Sequence, residues 1–238
     1  MTEYKIRAKQ APELTRVLKR GCQGDDVILL QTRLMEIRFN LGSYGADGYF
    51  GGRTRDAGDD FLCANGLKPT GEIKTAGWEL LYGEIYFAQF HESLFKCLCR
   101  ENGYKFCDGY YMGGINPAIK IMLARIQDKM RDRTGIANLN IVVKSNKTAY
   151  EGNGGYRCRR WNQKRGGATY SQHLYAKAAD TFPAIDDIPA PEYFDLLFAC
   201  AEECNPFGGV GKGTHTDRYI GVCHIDVRGV KSRWEYAR

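Results

Sequence analysis

The chain has 238 residues and a formal net charge of +6, and 43% of its residues are hydrophobic. This apolar content excludes an intrinsically disordered chain and predicts one large or two small folded domains. The longest uncharged run is far shorter than the roughly 20 apolar residues of a membrane helix. The polar, charged residues 1–9 do not resemble a secretory signal peptide. We therefore expect a monomer with no membrane partner.

The first predicted unit is helical. Residues 1–14 are predicted to form a polar N-terminal tail. Thr54 and Thr75 then predict the starts of two helices, separated by glycine-rich turns. Ahead of them, four apolar residues recur at helical spacing and predict an amphipathic first helix: Val27, Leu30, Leu34 and Ile37. The sequence thus predicts a three-helix domain over residues 15–84.

The second predicted unit, over residues 85–238, mixes helices and strands without strict alternation, which indicates an α+β domain with a short antiparallel sheet. Its predicted elements are, in chain order, a helix over 117–131, a strand over 141–143, a loop over 150–167, a strand over 176–182 that enters a turn at Pro183, a helix over 191–204 and a strand over 219–227.

Nine cysteines are scattered along the chain, an odd number that does not suit a small disulfide scaffold. Reduced thiols are typical of synthesis in a reducing compartment. Cys97, Cys99 and Cys107 form a C-x-C-x7-C cluster, for which Cys158 or His91 is the candidate fourth ligand of a structural zinc ion. Because structural zinc pairs are usually spaced C-x2-4-C, plain buried thiols are the alternative.

Charge is unevenly distributed. Residues 144–165 hold seven basic side chains against one acid, whereas residues 186–203 hold six acids and no base. A basic patch attracts an anionic partner, either nucleic acid or a substrate that carries a carboxylate. Since the chain shows no helix-turn-helix signature, zinc finger or regular aromatic-and-basic stripe, we expect no nucleic-acid partner.

Three residues near the carboxyl end form a candidate catalytic metal site. His173, Asp180 and His224 provide two imidazoles and one carboxylate. Three protein ligands leave the fourth position of a zinc ion open for water, as in catalytic sites. The spacing of seven between His173 and Asp180 suits a loop ligand followed by a strand ligand, not one face of a helix.

The N-terminal unit resembles a known domain. Asp47-Gly48-Tyr49-Phe50-Gly51, Asn65-Gly66-Leu67 and Trp78 follow one another, with other matching positions over residues 18–81, at the spacing of the three-helix peptidoglycan-binding domain of bacterial and phage cell-wall hydrolases. The resemblance implies that this unit holds the chain on the wall. The expected partner is therefore peptidoglycan, through its stem peptides and glycan.

The C-terminal unit resembles a family of peptidases. The segment from Ser171 to Asp180 is similar to the S-x-H-x-x-G-x-A-x-D motif of zinc D-Ala-D-Ala carboxypeptidases, which include vancomycin-resistance dipeptidases and peptidoglycan endopeptidases and share a fold with hedgehog-type domains. Tyr156-Arg157 and Gly166-Gly167 match further motifs, and the resemblance covers about residues 90–234. It implies that His173, Asp180 and His224 bind Zn2+.

The resemblance also suggests catalytic roles. Arg157 is expected to neutralise the oxyanion or to hold a substrate carboxylate. Ser171 is expected to bind the peptide, to orient His173 or to cap its loop. Many relatives carry a glutamate as general base at the position of Gly221. The family serine before Gly-Tyr-Arg is Gly154 here, which is expected to loosen that loop.

The general base therefore has several candidates. Asp226 lies two residues beyond His224, on the same face of a strand. It is predicted either to take the proton from a zinc-bound water or to orient a ligand from behind. His215 and Asp217, in a glycine-rich segment, are the further candidates.

These features predict a cell-wall hydrolase that cuts peptide bonds next to D-amino acids, as a carboxypeptidase or an endopeptidase. It is expected to act at the bacterial cell wall, as a holin-released phage lysin or by another export route. Two alternatives stay open. One is a Cys/His amidase that uses Cys158 or Cys223 with His173, and the other is a non-catalytic wall-binding module with a silent or structural zinc site.

Overall fold

The computed structural model describes residues 4–87, 92–99, 104–144, 154–213 and 221–236. Within these residues six α-helices form: α1 (Asp25–Glu36), α2 (Gly52–Ala64), α3 (Thr75–Tyr82), α4 (Pro117–Thr134), α5 (Arg159–Lys164) and α6 (Phe194–Cys204). The described strands are β1 (Tyr4–Ile6), β2 (Leu18–Lys19), β3 (Glu72–Ile73), β4 (Ile85–Phe87), β5 (Leu139–Val143), β6 (Ala178–Ile185), β7 (Ile188–Pro189), β8 (Gly209–Gly213), β9 (Cys223–Asp226) and β10 (Ser232–Tyr236). None of these helices has both the length and the apolar character to cross a membrane.

Helices α1, α2 and α3 form the predicted three-helix unit. The four residues of the predicted apolar stripe are completely buried. Three of them lie in α1 and the fourth follows it directly: Val27, Leu30, Leu34 and Ile37. Helix α2 begins at Gly52, two residues before Thr54, and Thr54 does not cap it. The Thr54 hydroxyl instead accepts a hydrogen bond of 3.1 Å from the buried Gln31 amide. Thr75 is the first residue of α3, with Lys74 at the N-cap.

The segment predicted to be a polar tail is partly ordered against this unit. Strand β1 pairs with β4 in antiparallel register. The Trp78 indole N–H donates to the Pro12 carbonyl at 2.8 Å, and the Lys9 amide donates to the Tyr82 carbonyl at 2.8 Å. Residues of the segment predicted to be a tail therefore form hydrogen bonds with the helical unit, so this part of the segment is not a free tail.

The second unit is built on one sheet with strand order β10-β8-β9-β6-β5, and β7 pairs with the end of β6. Adjacent strands are antiparallel except for β10 and β8, which are parallel. Helix α4 packs on β5 and α6, and α6 contacts β6, β8 and β9. The unit therefore has the expected α+β fold.

Several boundaries differ from the sequence prediction. Helix α5 lies inside the predicted loop over 150–167. Pro183 lies within β6, opposite Ile141, and not at a turn. The pairing of β9 with β6 ends at Thr181, so a proline at 183 breaks no hydrogen bond of that ladder. The turn comes later, where Asp186 and Asp187 adopt φ of 49° and 65°.

The two units share one apolar core and are joined by polar contacts. The Lys177 ammonium lies 2.7 Å from the Asp60 carboxylate of α2, and the Asn116 amide donates to the same carboxylate at 2.7 Å. The Arg125 guanidinium donates to the Ala64 carbonyl at 2.7 Å. These contacts place the helical unit directly beside the segment that carries His173.

Candidate metal centre

Strand register brings the predicted ligands together. Asp180 on β6 lies directly opposite His224 on β9, and opposed side chains of an antiparallel pair are close neighbours. His173 comes from the 3-10 turn Gln172–Tyr175 just before β6. Asp180 Oδ1 lies 2.9 Å from His224 Nδ1 and 3.3 Å from His173 Nε2, and the two nitrogens are 3.2 Å apart. One metal ion can therefore contact all three side chains.

A backbone contact fixes the orientation of the His173 ring. Its Nδ1 lies 2.7 Å from the Gly155 carbonyl oxygen. Because a carbonyl only accepts hydrogen bonds, this contact assigns the proton to Nδ1 and leaves the Nε2 lone pair facing Asp180 and His224. Burial lowers the pKa of His173, which favours the neutral imidazole that binds metals.

The His224 ring lies between two carboxylates. Its Nδ1 faces Asp180, and its Nε2 lies 3.0 Å from Asp226 Oδ2. Burial opposes a charged ring, but hydrogen bonds to Asp180 and Asp226 outweigh it and raise the pKa of His224 to about 9. A metal ion held by Nδ1 would therefore have to displace a proton, while Asp226 would accept the N–H on the opposite side.

Asp226 is completely buried and its oxygens accept several hydrogen bonds. They accept from the Gly209 amide at 3.0 Å and from Arg228 Nε at 2.8 Å, in addition to His224. Burial opposes ionisation, but the bonds from His224 and Arg228 outweigh it and hold the pKa of Asp226 far below its usual range. A carboxylate behind a ligating histidine is the usual way to fix the orientation of that ring.

Two glycines of β8 make room for this arrangement. Gly211 pairs with His224 on one side and with Trp234 on the other. A Cβ atom at Gly211 would lie 2.5 Å from the Trp234 ring, whose centroid is 5.0 Å from that of His224. A Cβ atom at Gly209 would lie 2.3 Å from the Asp226 carboxylate. The sequence prediction missed β8, although Gly209 and Gly211 are two apart and therefore share one strand face.

Arg157 contacts a predicted metal ligand. Its guanidinium donates a hydrogen bond to Asp180 Oδ2, while Oδ1 faces the two histidines. The backbone N–H of Arg157 also donates to the His173 carbonyl at 3.1 Å. Burial opposes ionisation of Asp180, but the positive charge of Arg157 and the hydrogen bond from His224 outweigh it and hold the pKa of Asp180 well below its usual range.

Ser171 lies immediately before the His173 turn and is partly buried. Its carbonyl accepts from the Leu174 amide at 3.0 Å. Among the described residues, its hydroxyl makes no capping hydrogen bond to this turn. The hydrogen bonds found for Ser171 are therefore made by its backbone, at the start of the turn.

Two positions where the family has larger side chains are tightly enclosed. The Gly154 amide donates to the Lys144 carbonyl at 2.8 Å, and its carbonyl accepts from the Asp180 amide at 2.7 Å. A Cβ atom at Gly154 would lie 2.6 Å from the Asp180 carbonyl, and one at Gly221 would lie 2.7 Å from the Gly213 carbonyl. Hydrogen bonds and close packing therefore surround Gly154, and the expectation that it loosens its loop stays a prediction. Gly221 has no room for a glutamate without a backbone shift.

The remaining sequence candidates fall into two groups. His91, His215 and Asp217 lie outside the described residues. The Cys223 side chain is buried, which raises its pKa, and the Cys158 thiol is within 4.8 Å of three other thiols. Cys223 therefore does not show the depressed pKa that marks an activated nucleophile, and Cys158 is grouped with other thiols.

A cleft of about 360 Å³ opens where the two units meet. Arg38 and Arg53 of the helical unit and Tyr111 of the second unit line it. Gln172 and Tyr175, which belong to the turn that carries His173, also line the cleft. Both units therefore contribute to a concave surface next to the turn that carries His173.

The structure joins a three-helix unit to an α+β domain in which two histidines and one aspartate lie together. A model of the peptidase M15 family matches residues 101–222, more than half of the chain, and a peptidoglycan-binding domain model matches residues 23–81. The chain belongs to the peptidase M15 family, and the two matches together indicate a cell-wall-targeting metallopeptidase. The matched region includes His173 and Asp180 and ends two residues before His224. A comparison with curated proteins finds no match.

Proposed function

We propose that this protein is a zinc-dependent peptidase that cleaves peptide bonds next to D-amino acids in the stem peptides or cross-links of peptidoglycan. It acts as a D-Ala-D-Ala carboxypeptidase or as an endopeptidase, and the N-terminal unit holds it on the wall. The observation that carries this proposal is the convergence of His173 Nε2, His224 Nδ1 and Asp180 Oδ1 on one point. The peptidase and peptidoglycan-binding family matches support it.

The donor set fits zinc. Two imidazole nitrogens and one carboxylate oxygen are zinc ligands, and three protein ligands leave one position open. The hydrogen bonds of His173 to Gly155 and of His224 to Asp226 fix both rings, as is usual around bound zinc. When bound, zinc lowers the pKa of a water molecule to about 7 and polarises the scissile carbonyl.

Arg157 has a double role in the proposal. One N–H of its guanidinium orients Asp180. Since a guanidinium carries five N–H donors, that bond is compatible with another to a substrate oxygen, either a developing oxyanion or a terminal carboxylate. Ser171 positions the turn that carries His173 through its main chain.

The contacts of Asp226 bear on which residue serves as the general base. Asp226 is committed to His224, Gly209 and Arg228, so we assign it a positioning role. His215 and Asp217 are then the remaining sequence candidates. Alanine variants of each, measured for zinc content and turnover, identify the base as the residue whose loss lowers kcat without releasing zinc.

The cleft between the two units supports a substrate that extends over both. It lies beside the His173 turn and presents the cationic side chains of Arg38 and Arg53. The two acids that line it form ion pairs, Asp56 with Arg55 and Asp60 with Lys177. A stem peptide that carries carboxylates suits such a surface better than a neutral glycan does. We therefore propose that the helical unit contributes to substrate binding in addition to holding the wall.

Digestion of purified sacculi followed by mass spectrometry tests the proposal. The wild-type protein is expected to release D-alanine or to open cross-links next to a D-amino acid, and an Asp180→Ala variant is expected to bind sacculi without cutting them. Intact sacculi with bound wild-type protein would point instead to a silent wall-binding module. Cleavage between glycan and peptide that persists in Asp180→Ala and stops in Cys223→Ala or Cys158→Ala would point to a Cys/His amidase.

A further inference from the structure

Four cysteine thiols lie together away from the histidine site. The Sγ atoms of Cys97, Cys99, Cys107 and Cys158 are all within 4.8 Å of one another. The first three come from one short stretch, and Cys158 comes from about fifty residues further along the chain. The fold therefore supplies a complete set of four thiols, which sequence spacing alone did not establish.

The spacing of these thiols suits one tetrahedral ion. Four sulfurs bound at 2.3 Å around zinc stand about 3.8 Å from one another, and the Sγ atoms of Cys99 and Cys107 are 3.5 Å apart. Four cysteines without an open position are the donor set of a structural zinc site, not a catalytic one. Cys97, Cys99 and Cys158 are at most 9% exposed, so they leave little access for a substrate.

Backbone amides point at three of the sulfurs. The amides of Phe106, Gly109 and Cys158 donate to the sulfurs of Cys99, Cys107 and Cys97, each at 3.3 Å. Sulfur in a neutral thiol is a weak acceptor, whereas a thiolate is a charged and stronger one. Three such donors converging on one cluster are the environment that metal-bound thiolates require.

The segment around the thiols has little regular secondary structure. Within the described residues of 92–113 the chain forms one 3-10 turn, Glu92–Phe95, and no named helix or strand. The aromatic side chains of Phe106, Tyr156 and Trp161 pack around the thiols, in a small apolar cluster that is separate from the main core.

We infer that Cys97, Cys99, Cys107 and Cys158 bind a second zinc ion, which is structural. This ion ties residues 95–109 to residues 154–158, where Tyr156 donates to the Phe95 carbonyl at 2.8 Å and Gly155 accepts from His173. It thereby supports Arg157 and the backbone behind His173. The inference goes beyond the proposed function, because it holds whether or not the histidine site is catalytic.

The first test uses the unaltered full-length protein. Protein purified without chelators is expected to contain two zinc ions per chain by elemental mass spectrometry. Titration with an organic mercurial, which reacts with thiolates, is expected to release one of them. The cobalt-substituted protein is expected to show the thiolate-to-metal charge-transfer absorption that imidazole and carboxylate ligands do not give.

Variants then assign each ion to its site. Cys107→Ser is expected to lose one zinc ion and the charge-transfer absorption, and the matched variant Cys22→Ser is expected to keep both ions. His224→Ala is expected to lose the other ion and to keep the mercurial-sensitive one. These variants separate the two sites. A variant that loses wall hydrolysis but keeps the zinc ion at the four cysteines tests the proposed function and leaves this inference unaffected.

Three results would overturn the inference. They are mercurial treatment that releases no zinc from the wild-type protein, a disulfide between Cys99 and Cys107 found by mass spectrometry in freshly purified protein, and iron in place of zinc at the thiol cluster. Each is measured on the wild-type chain, so the test does not depend on whether Cys107→Ser folds.

Discussion

Asp226 lies behind His224, with 3.0 Å between Asp226 Oδ2 and His224 Nε2, while Nδ1 of the same ring faces Asp180 Oδ1 at 2.9 Å. Arg228 and the Gly209 amide engage the Asp226 carboxylate at the same time. A fully buried carboxylate with these partners orients a ring and stabilises its N–H. It is poorly placed to accept a proton from water at the metal.

The first prediction separates positioning from base catalysis at Asp226. In Asp226→Asn, zinc affinity is expected to fall about 10–100-fold, because His224 loses a charged hydrogen-bond acceptor. At saturating zinc most of the turnover is expected to return. Zinc titration together with kcat measured against zinc concentration checks this. Unchanged zinc affinity with a strongly reduced kcat would show that Asp226 is the base. The control is Asp195→Asn, which alters an exposed ion pair.

The second prediction concerns Arg157. Arg157→Lys keeps the positive charge and loses the planar donor geometry, so kcat/KM is expected to fall about 100- to 1,000-fold, as when one oxyanion donor is removed. Zinc content is expected to be retained. The exposed Arg159, changed to lysine, serves as the matched control. Activity of Arg157→Lys equal to that of Arg159→Lys would contradict a role for Arg157 at the reacting groups.

The third prediction tests the close packing at Gly154. Gly154→Ser places a Cβ atom 2.6 Å from the Asp180 carbonyl and 2.8 Å from the Lys144 carbonyl. We expect the free energy of unfolding to fall by about 1–3 kcal/mol, as for other overpacked sites. Gly52→Ser is the control, because nothing lies within 4 Å of a Cβ atom there. Equal urea midpoints for the two variants would mean that the loop at Gly154 accommodates the added side chain without a loss of stability.

The fourth prediction concerns the contact between the two units. Burial raises the pKa of Asp60, and Lys177 and Asn116 only partly offset it. An acid with a raised pKa in the folded state stabilises the fold fully at low pH, and this contribution is lost as the pH rises through that pKa. Lys177→Met removes the compensating charge, so its effect should grow with pH.

Lys177→Met is therefore expected to lower the free energy of unfolding by about 1–3 kcal/mol at neutral pH and by much less at an acid pH, where the raised pKa favours the protonated Asp60 carboxyl. Urea unfolding at the two pH values measures this difference. The control is Lys129→Met, which removes an exposed ion pair with Glu203 and is expected to have little effect at either pH. An equal loss at both pH values would argue against a buried, charged Asp60.

The regular parts of the fold were predictable because their patterns are local. The α1 stripe from Val27 to Ile37 is completely buried, and the predicted helix over 117–131 corresponds to α4. His173 lies in a turn and Asp180 on a strand, as their spacing indicates. These features depend on residues close in sequence, so periodicity and turn chemistry suffice.

The parts that were not predicted depend on tertiary structure. Strand β8 has glycine at three of its five positions and resembles a loop in sequence, yet Gly211 is glycine because Trp234 occupies the space beside it. The sequence left open whether Asp226 is the base or orients a ligand, and whether Cys158 or His91 completes the thiol cluster. The distance from Asp226 to His224 and the position of Cys158 among the other thiols depend on the fold.

Anomalous X-ray diffraction across the zinc absorption edge, on crystals of enzyme shown to hydrolyse peptidoglycan, tests the central claim most directly. The account predicts an anomalous peak about 2.0–2.2 Å from His173 Nε2, His224 Nδ1 and an Asp180 carboxylate oxygen. An active enzyme whose crystals show no peak among these three side chains would contradict it.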